Sequence, residues 1–199
     1  MNVLKFNHCK FTKPCFTIYE NVFTNEECDK ICELQIDKPL ISEDNQNPII
    51  GNFKNLNDFY HYEKSLLGDT ANLEQTVMTY IFDCNSKVYG YEIWGMEEDI
   101  TLLTFKSNSF IDYHERFLWF NNEPNDRKLS AYVFLTDPQY YIGGKIKIDE
   151  SLPISSLNQR YSNRGNLLVF PSFITHEITP ITSGVMQILT FDIIGPKLR

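Results

Sequence analysis

At Tyr91 the hydrophobic pattern of this chain changes period. Before it, two segments repeat their apolar residues every three or four positions. After it come "YEIW", "ITLLTF", "SFIDYH", "KLSAYVFLT", "GGKIKI", "NLLVF" and "MQILTFDII", which alternate or run apolar over short stretches. A period of two marks a strand with one buried face, and short apolar runs bounded by turns fit strands buried on both faces. Turn chemistry separates the segments, at Asp137-Pro138 and Gly143-Gly144. Helices first and six to eight strands after predict an α+β chain, with N-terminal helices buttressing a sandwich or jelly roll. Fifteen Phe and eleven Tyr lean the same way, because aromatic rings fit a pleated surface.

The N-terminal half reads as short strands, "VLKF" and "CFTIYENVF", followed by "TNEECDKICELQI". Thr24 with Glu27 three residues on is a capping box, which satisfies two orphan N–H groups at a helix start. Ile31, Leu34 and the cysteines continue the helical spacing, and Pro39 stops it. Residues 40–62 are polar and irregular, a long loop or an insertion. A second helix is expected over about 70–88. Leu73, Val77, Tyr80, Ile81, Cys84 and Val88 share one face, and Gly90 ends it. One domain over 1–199 is expected, with strands and two helices in 1–90 and the jelly-roll core in 91–199.

A net charge of −8 argues against general nucleic-acid binding. No apolar run approaches the roughly 18 residues of a membrane span. The start lacks the apolar core of a secretory signal, so a cytoplasmic home is expected. The five cysteines contain no CxxC pair and read as buried reduced thiols, with Cys28 and Cys32 on one helix face.

Chemistry concentrates in the strand half. In "FIDYHERF", alternation puts Phe110, Asp112, His114 and Arg116 on one face. His176 follows "VFPSF". Imidazoles from two strands can meet inside a sandwich, and two imidazoles with one carboxylate make the facial triad of non-haem Fe(II) oxygenases. Two distant histidines alone prove little, because a strand histidine is more often simply hydrogen-bonded.

The words around them carry more. "RKLSAYVFLTDPQYYIGGKIKI", "RGNLLVFPSFITHEITPITSG" and a closing "GP" resemble, in order and spacing, the prolyl-4-hydroxylase-like branch of the Fe(II)/2-oxoglutarate dioxygenases. The resemblance spans residues 100–196 well, and "NVFTNEECDKICEL" looks like the helix that opens such domains. It implies a double-stranded β-helix, a cupin-like jelly roll holding Fe(II) and 2-oxoglutarate in its mouth. The metal histidines would be His114 and His176.

Two positions depart from that family. The carboxylate expected two residues after the first histidine is Arg116, and the cation expected ten residues after the second is Met186. An arginine cannot ligate, and it repels a divalent ion by several kcal/mol even at an effective dielectric of about 20. Losing the charged partner of a buried carboxylate costs about 2–5 kcal/mol of binding. Glu115, through a bulge, or Asp112, in reversed order, would be substitute ligands. Lys145 or Lys147 would be a substitute cation, and Arg127 a group beside the cosubstrate. Tyr113, Tyr132 and Tyr140 would line the cleft or pack the core. Trp119, Phe117 and Phe120 would form a loop beside the mouth.

The departures favour a non-catalytic chain: a degenerate member kept as a binding or structural module for a protein or peptide partner in a larger assembly. The resemblance extends to reduced phage and viral members, which would make it a virion or assembly component. The alternative is an active 2-oxoglutarate-dependent hydroxylase of a peptide or small substrate. An unrelated cupin-like metal enzyme or a sugar-binding jelly roll would use the same histidines with other partners.

Overall fold

The computed structural model describes residues 3–5, 15–33, 48–53, 73–97, 100–116, 124–148 and 159–197. The expectations for Leu34, Pro39, most of 40–62 and the aromatic loop 117–123 lie outside them. In chain order come β1 (Val3–Lys5), β2 (Thr17–Tyr19), α1 (Asn25–Glu33), β3 (Ile49–Phe53) and α2 (Leu73–Cys84). Then follow β4 (Gly95–Met96), β5 (Ile100–Phe105), β6 (Ile111–His114), β7 (Asn125–Phe134), β8 (Tyr141–Gly143) and β9 (Ile146–Ile148). The last are β10 (Leu167–Pro171), β11 (His176–Ile178), β12 (Ile181–Gly184) and β13 (Met186–Pro196).

Among the described residues these strands form three antiparallel sheets. The large one has the order β1-β2-β10-β7-β13-β5-β3, with β4 added against β13. Across from it lie β6-β11-β9 and the pair β12-β8. This is the expected double-stranded β-helix with N-terminal helices. Alternation assigns the two faces of the large sheet. Leu129, Ala131 and Val133 of β7 and Leu189, Phe191 and Ile193 of β13 pack with Cys28, Ile31, Leu73, Val77 and Ile81 of the helices. The residues between them turn inward. Tyr132, Phe134, Ile188 and Met186 join Ile146, Ile148, Ile178 and Ile181 of the smaller sheets in a second core. Each fully buried aliphatic or aromatic side chain contributes about 1.5–3 kcal/mol.

Helix α1 starts as its capping box requires. The Thr24 backbone N–H donates to Glu27 Oε2 at 2.7 Å, and the Glu27 N–H donates to Thr24 Oγ1 at 3.2 Å. Removing one arm of such a box costs about 1 kcal/mol. Thr24→Ala is expected to lower the unfolding free energy by that amount, read as a lower urea midpoint at unchanged slope. An unchanged midpoint would show that the box adds nothing to α1.

Four expectations need correction. Part of the 40–62 loop is strand β3, paired residue for residue with β5 from Ile49↔Thr104 to Phe53↔Ile100. An edge strand bonds along one side only, so it needs little of the apolar alternation that sequence reading seeks. "YEIW" is not a strand; only Gly95 and Met96 pair with β13, and Trp94 is 55% exposed. The second helix is α-helical to Cys84, then widens into a π-helical turn over Asn85–Tyr89, which Gly90 ends at φ 68°. Finally, Cys15 is disulfide-bonded, whereas Cys28, Cys32 and Cys84 are free thiols. No helix among the described residues is long and apolar enough to cross a membrane.

Candidate functional site

His114 and His176 are direct cross-strand partners where β6 pairs with β11. Opposed residues of an antiparallel pair put their side chains on one face, and the rings lie 4.3 Å apart between centroids, inclined at 46°. His114 Nδ1 is 3.0 Å from the Asp112 carbonyl, and His176 Nδ1 is 3.0 Å from the Ile174 carbonyl. A carbonyl only accepts, so each Nδ1 carries the proton and each Nε2 keeps a lone pair. That is the tautomer a metal-ligating imidazole adopts. Two imidazoles bound cis to one ion at about 2.1 Å would hold their centroids about 4.6 Å apart, close to what is seen.

The rest of the ligand set is different. The Tyr132 hydroxyl is 2.7 Å from His176 Nε2, and since that nitrogen is bare, the hydroxyl donates. The lone pair that would face a metal is therefore engaged. Arg116 grips Asp192 with two bonds, Nε to Oδ1 at 2.8 Å and Nη2 to Oδ2 at 2.5 Å. Asp192 also accepts from Ser130 Oγ at 2.7 Å, and Ser130 bonds Ser172 Oγ at 2.9 Å. The Arg116 guanidinium carbon sits 5.9 Å from the Tyr132 ring centre.

Electrostatics follow the same layout. Burial first, then the neighbouring His114 and Arg116, pushes His176 down to about 3. His114 is lowered chiefly by burial, with Arg116 adding to it. Burial drives the Tyr132 hydroxyl up to about 12 against the pull of Arg116. For Asp192, burial opposes ionisation, but Arg116, Arg127 and Ser130 outweigh it and hold the carboxyl below its ordinary value. At neutral pH the site holds two neutral imidazoles, a neutral phenol and one ion pair.

The substitutes expected from sequence are elsewhere. Glu115, the residue after β6, accepts from Thr175 Oγ1 at 3.4 Å. Asp112 is exposed and accepts from the N–H of Tyr113. Lys147 pairs at 2.5 Å with Glu177, its cross-strand neighbour, and Lys145 is exposed. Of the tyrosines expected at the cleft, Tyr140 is 66% exposed, whereas Tyr132 meets an imidazole through its hydroxyl. Met186 is buried in the inner core beside Gly144, where an added Cβ would come within 2.8 Å of its sulfur. Arg127 does enter the site. Ile193 faces Leu129 but Ile194 faces Arg127, so Lys128 is an extra, bulged residue. Past that bulge Arg127 Nε reaches Glu97 at 2.6 Å and Asp192 at 3.5 Å.

Sequence reasoning missed Asp192. Its signal was present: a lone carboxylate inside "ILTFDIIG", on the inward parity of β13, must be paired if buried. These residues do not fit Fe(II) with 2-oxoglutarate. The position of the anionic arm is a cation, one imidazole is engaged by a phenol, and the far carboxylate would meet a thioether. Among the described residues no three His, Cys, Asp or Glu side chains converge to hold a metal.

No family model matches the chain. Two curated relatives do in part. It is 38% identical to a PKHD-type hydroxylase of Cupriavidus metallidurans over 65 residues, 31% of this chain and 27% of that protein. It is 27% identical to the PKHD-type hydroxylase YbiX of Escherichia coli over 117 residues, 58% of this chain and 42% of YbiX. The matches thus span less than half of each relative. Among solved structures, a viral collagen prolyl hydroxylase from Paramecium Bursaria Chlorella virus-1 superposes with a TM-score of 0.64 at 15% identity, covering 96% of this chain and 97% of that one. A Pseudomonas putida prolyl-4-hydroxylase gives 0.56 at 12% identity, covering 94% and 92%. A 2OG-Fe(II) oxygenase-family oxidoreductase from Burkholderia pseudomallei gives 0.62 at 14%, covering 90% and 84%. The resemblance drawn from residues 100–196 is upheld by the relatives and by the fold. The chain has the roll of the prolyl-hydroxylase-like 2-oxoglutarate oxygenases.

Proposed function

We propose that this chain keeps the prolyl-hydroxylase-like roll as a non-catalytic module that binds a protein or peptide partner, or serves as a structural part of a larger assembly. The observation that carries the reading is the bidentate Arg116–Asp192 pair, a cation in the place where the family's chemistry needs an anion. The Tyr132 hydroxyl on His176 and the buried Met186 support it from the other two corners of the site. A phage or viral assembly, in the cytoplasm or the virion, is the setting in which such a reduced roll would be retained.

The competing reading is an active Fe(II)/2-oxoglutarate hydroxylase of a peptide or small substrate. One observation favours it: both imidazoles keep the tautomer and separation of cis metal ligands. Anaerobic titration with Fe(II) and 2-oxoglutarate separates the two. The non-catalytic reading expects no visible metal-to-ligand charge-transfer band and no change in melting temperature. A saturable band would overturn it.

A further inference from the structure

We propose that the Arg116 guanidinium is the resident cation of this roll, clasping the two layers at its mouth where a divalent ion would otherwise be held. The pieces come from different sheets. Arg116 lies two residues past β6 of the smaller sheet, and its backbone N–H donates to the Ser172 carbonyl just past β10 at 2.9 Å. Its side chain crosses to Asp192 on β13, which Ser130 on β7 also holds. The clasp therefore joins one strand of the small sheet to three of the large one. A second tie runs parallel to it, from Tyr132 on β7 to His176 on β11.

The charges are consistent with a cation built into this spot. Arg116 is 18% exposed and Asp192 4% at the side chain, so water screens the pair little. Arg127 adds a second positive group at 3.5 Å from Asp192 but is shared with Glu97. The guanidinium carbon lies 5.9 Å from the ring centre of Tyr132, whose hydroxyl is bonded to His176, so the cation sits beside the second tie. Such a roll closes its mouth without iron, oxygen or a keto acid, so its assembly is independent of their supply.

The proposal deepens the non-catalytic reading, but the two fail separately. That reading falls to an optical band in the unaltered protein; the clasp falls to a result on altered proteins. The test is Arg116→Asp in the full chain, melted with a chelator and then with Co(II), Ni(II) or Zn(II). The unaltered protein is expected to melt at the same temperature in all four. The variant places a second carboxylate against Asp192 and is expected to melt about 10 °C or more lower in chelator. Co(II) is expected to restore at least half of that loss, and adding His114→Ala to the variant is expected to abolish the restoration. A purely structural arginine would give the loss without the metal rescue, and that result overturns the proposal. If Arg116→Asp does not fold under either condition, the cycle of Arg116→Met with Asp192→Asn decides. Each single change is expected to lower the melting point by about 10 °C, and the double variant to melt within about 3 °C of the lower single. Additive losses would overturn the clasp.

Discussion

Acidification from pH 7 to pH 4.5 is expected to remove about 3 kcal/mol of folding stability through His176 alone. An unfolded histidine takes up its proton near pH 6.5, whereas in the fold burial and the adjacent His114 and Arg116 hold His176 neutral until about pH 3. Between those values the unfolded chain binds one more proton than the folded one. Stability therefore falls by about 1.4 kcal/mol per pH unit as pH drops, and levels off below about pH 3. His114 is lowered as well and adds to the loss in the same direction. Asp192 acts in a different window. Its carboxyl is held below the ordinary value, so its contribution persists until pH falls through its folded pKa. Urea unfolding at the two pH values measures the difference. His176→Gln keeps an acceptor for the Tyr132 hydroxyl without a titrating group, and its stability is expected to vary much less over this range. Equal slopes for the two proteins would mean that His176 is not the group responsible.

Gly143→Ala is expected to destabilise the fold by about 3 kcal/mol or more, against well under 1 for an ordinary surface change. Gly143 has φ +99°, a region that L side chains rarely adopt. A Cβ built there would lie 2.1 Å from the Pro180 carbonyl oxygen, and backbone cannot swing aside as a flexible side-chain tip can. The collision sits where β8 pairs with β12, Ile181 opposite Gly143, so relief requires parting those strands. Thermal melting checks it: a variant within about 2 °C of the unaltered protein would show that the corner has slack.

The Gly143-Gly144 corner shows what sequence could reveal. Two glycines between strand-like segments announce a tight turn, and the backbone bears that out. The capping box at Thr24 and the buried face Leu73, Val77, Ile81 and Cys84 were equally plain, because each depends on residues a few positions apart. The order of strand words gave the roll. What stayed hidden depends on partners far along the chain. Asp192 is 76 residues from Arg116, and a single sequence does not say that these two charges cancel. The Tyr132–His176 bond spans 44 residues, and an aromatic inside an apolar strand reads as packing until its hydroxyl is seen to donate. β3 escaped because its order comes from backbone bonding to β5 rather than from its own side-chain pattern.

The bulge at Lys128 has a topological consequence. Beyond it, every side chain of that end of β7 changes allegiance between layers, and so Arg127 serves Asp192 and Glu97. Were Lys128 instead paired in regular register, Arg127 would share the face of Leu129 and its guanidinium would fall in the apolar seam under the helices. Whether Lys128 is bulged or paired, rather than any side chain's identity, thus decides on which side of the sheet this positive charge is spent.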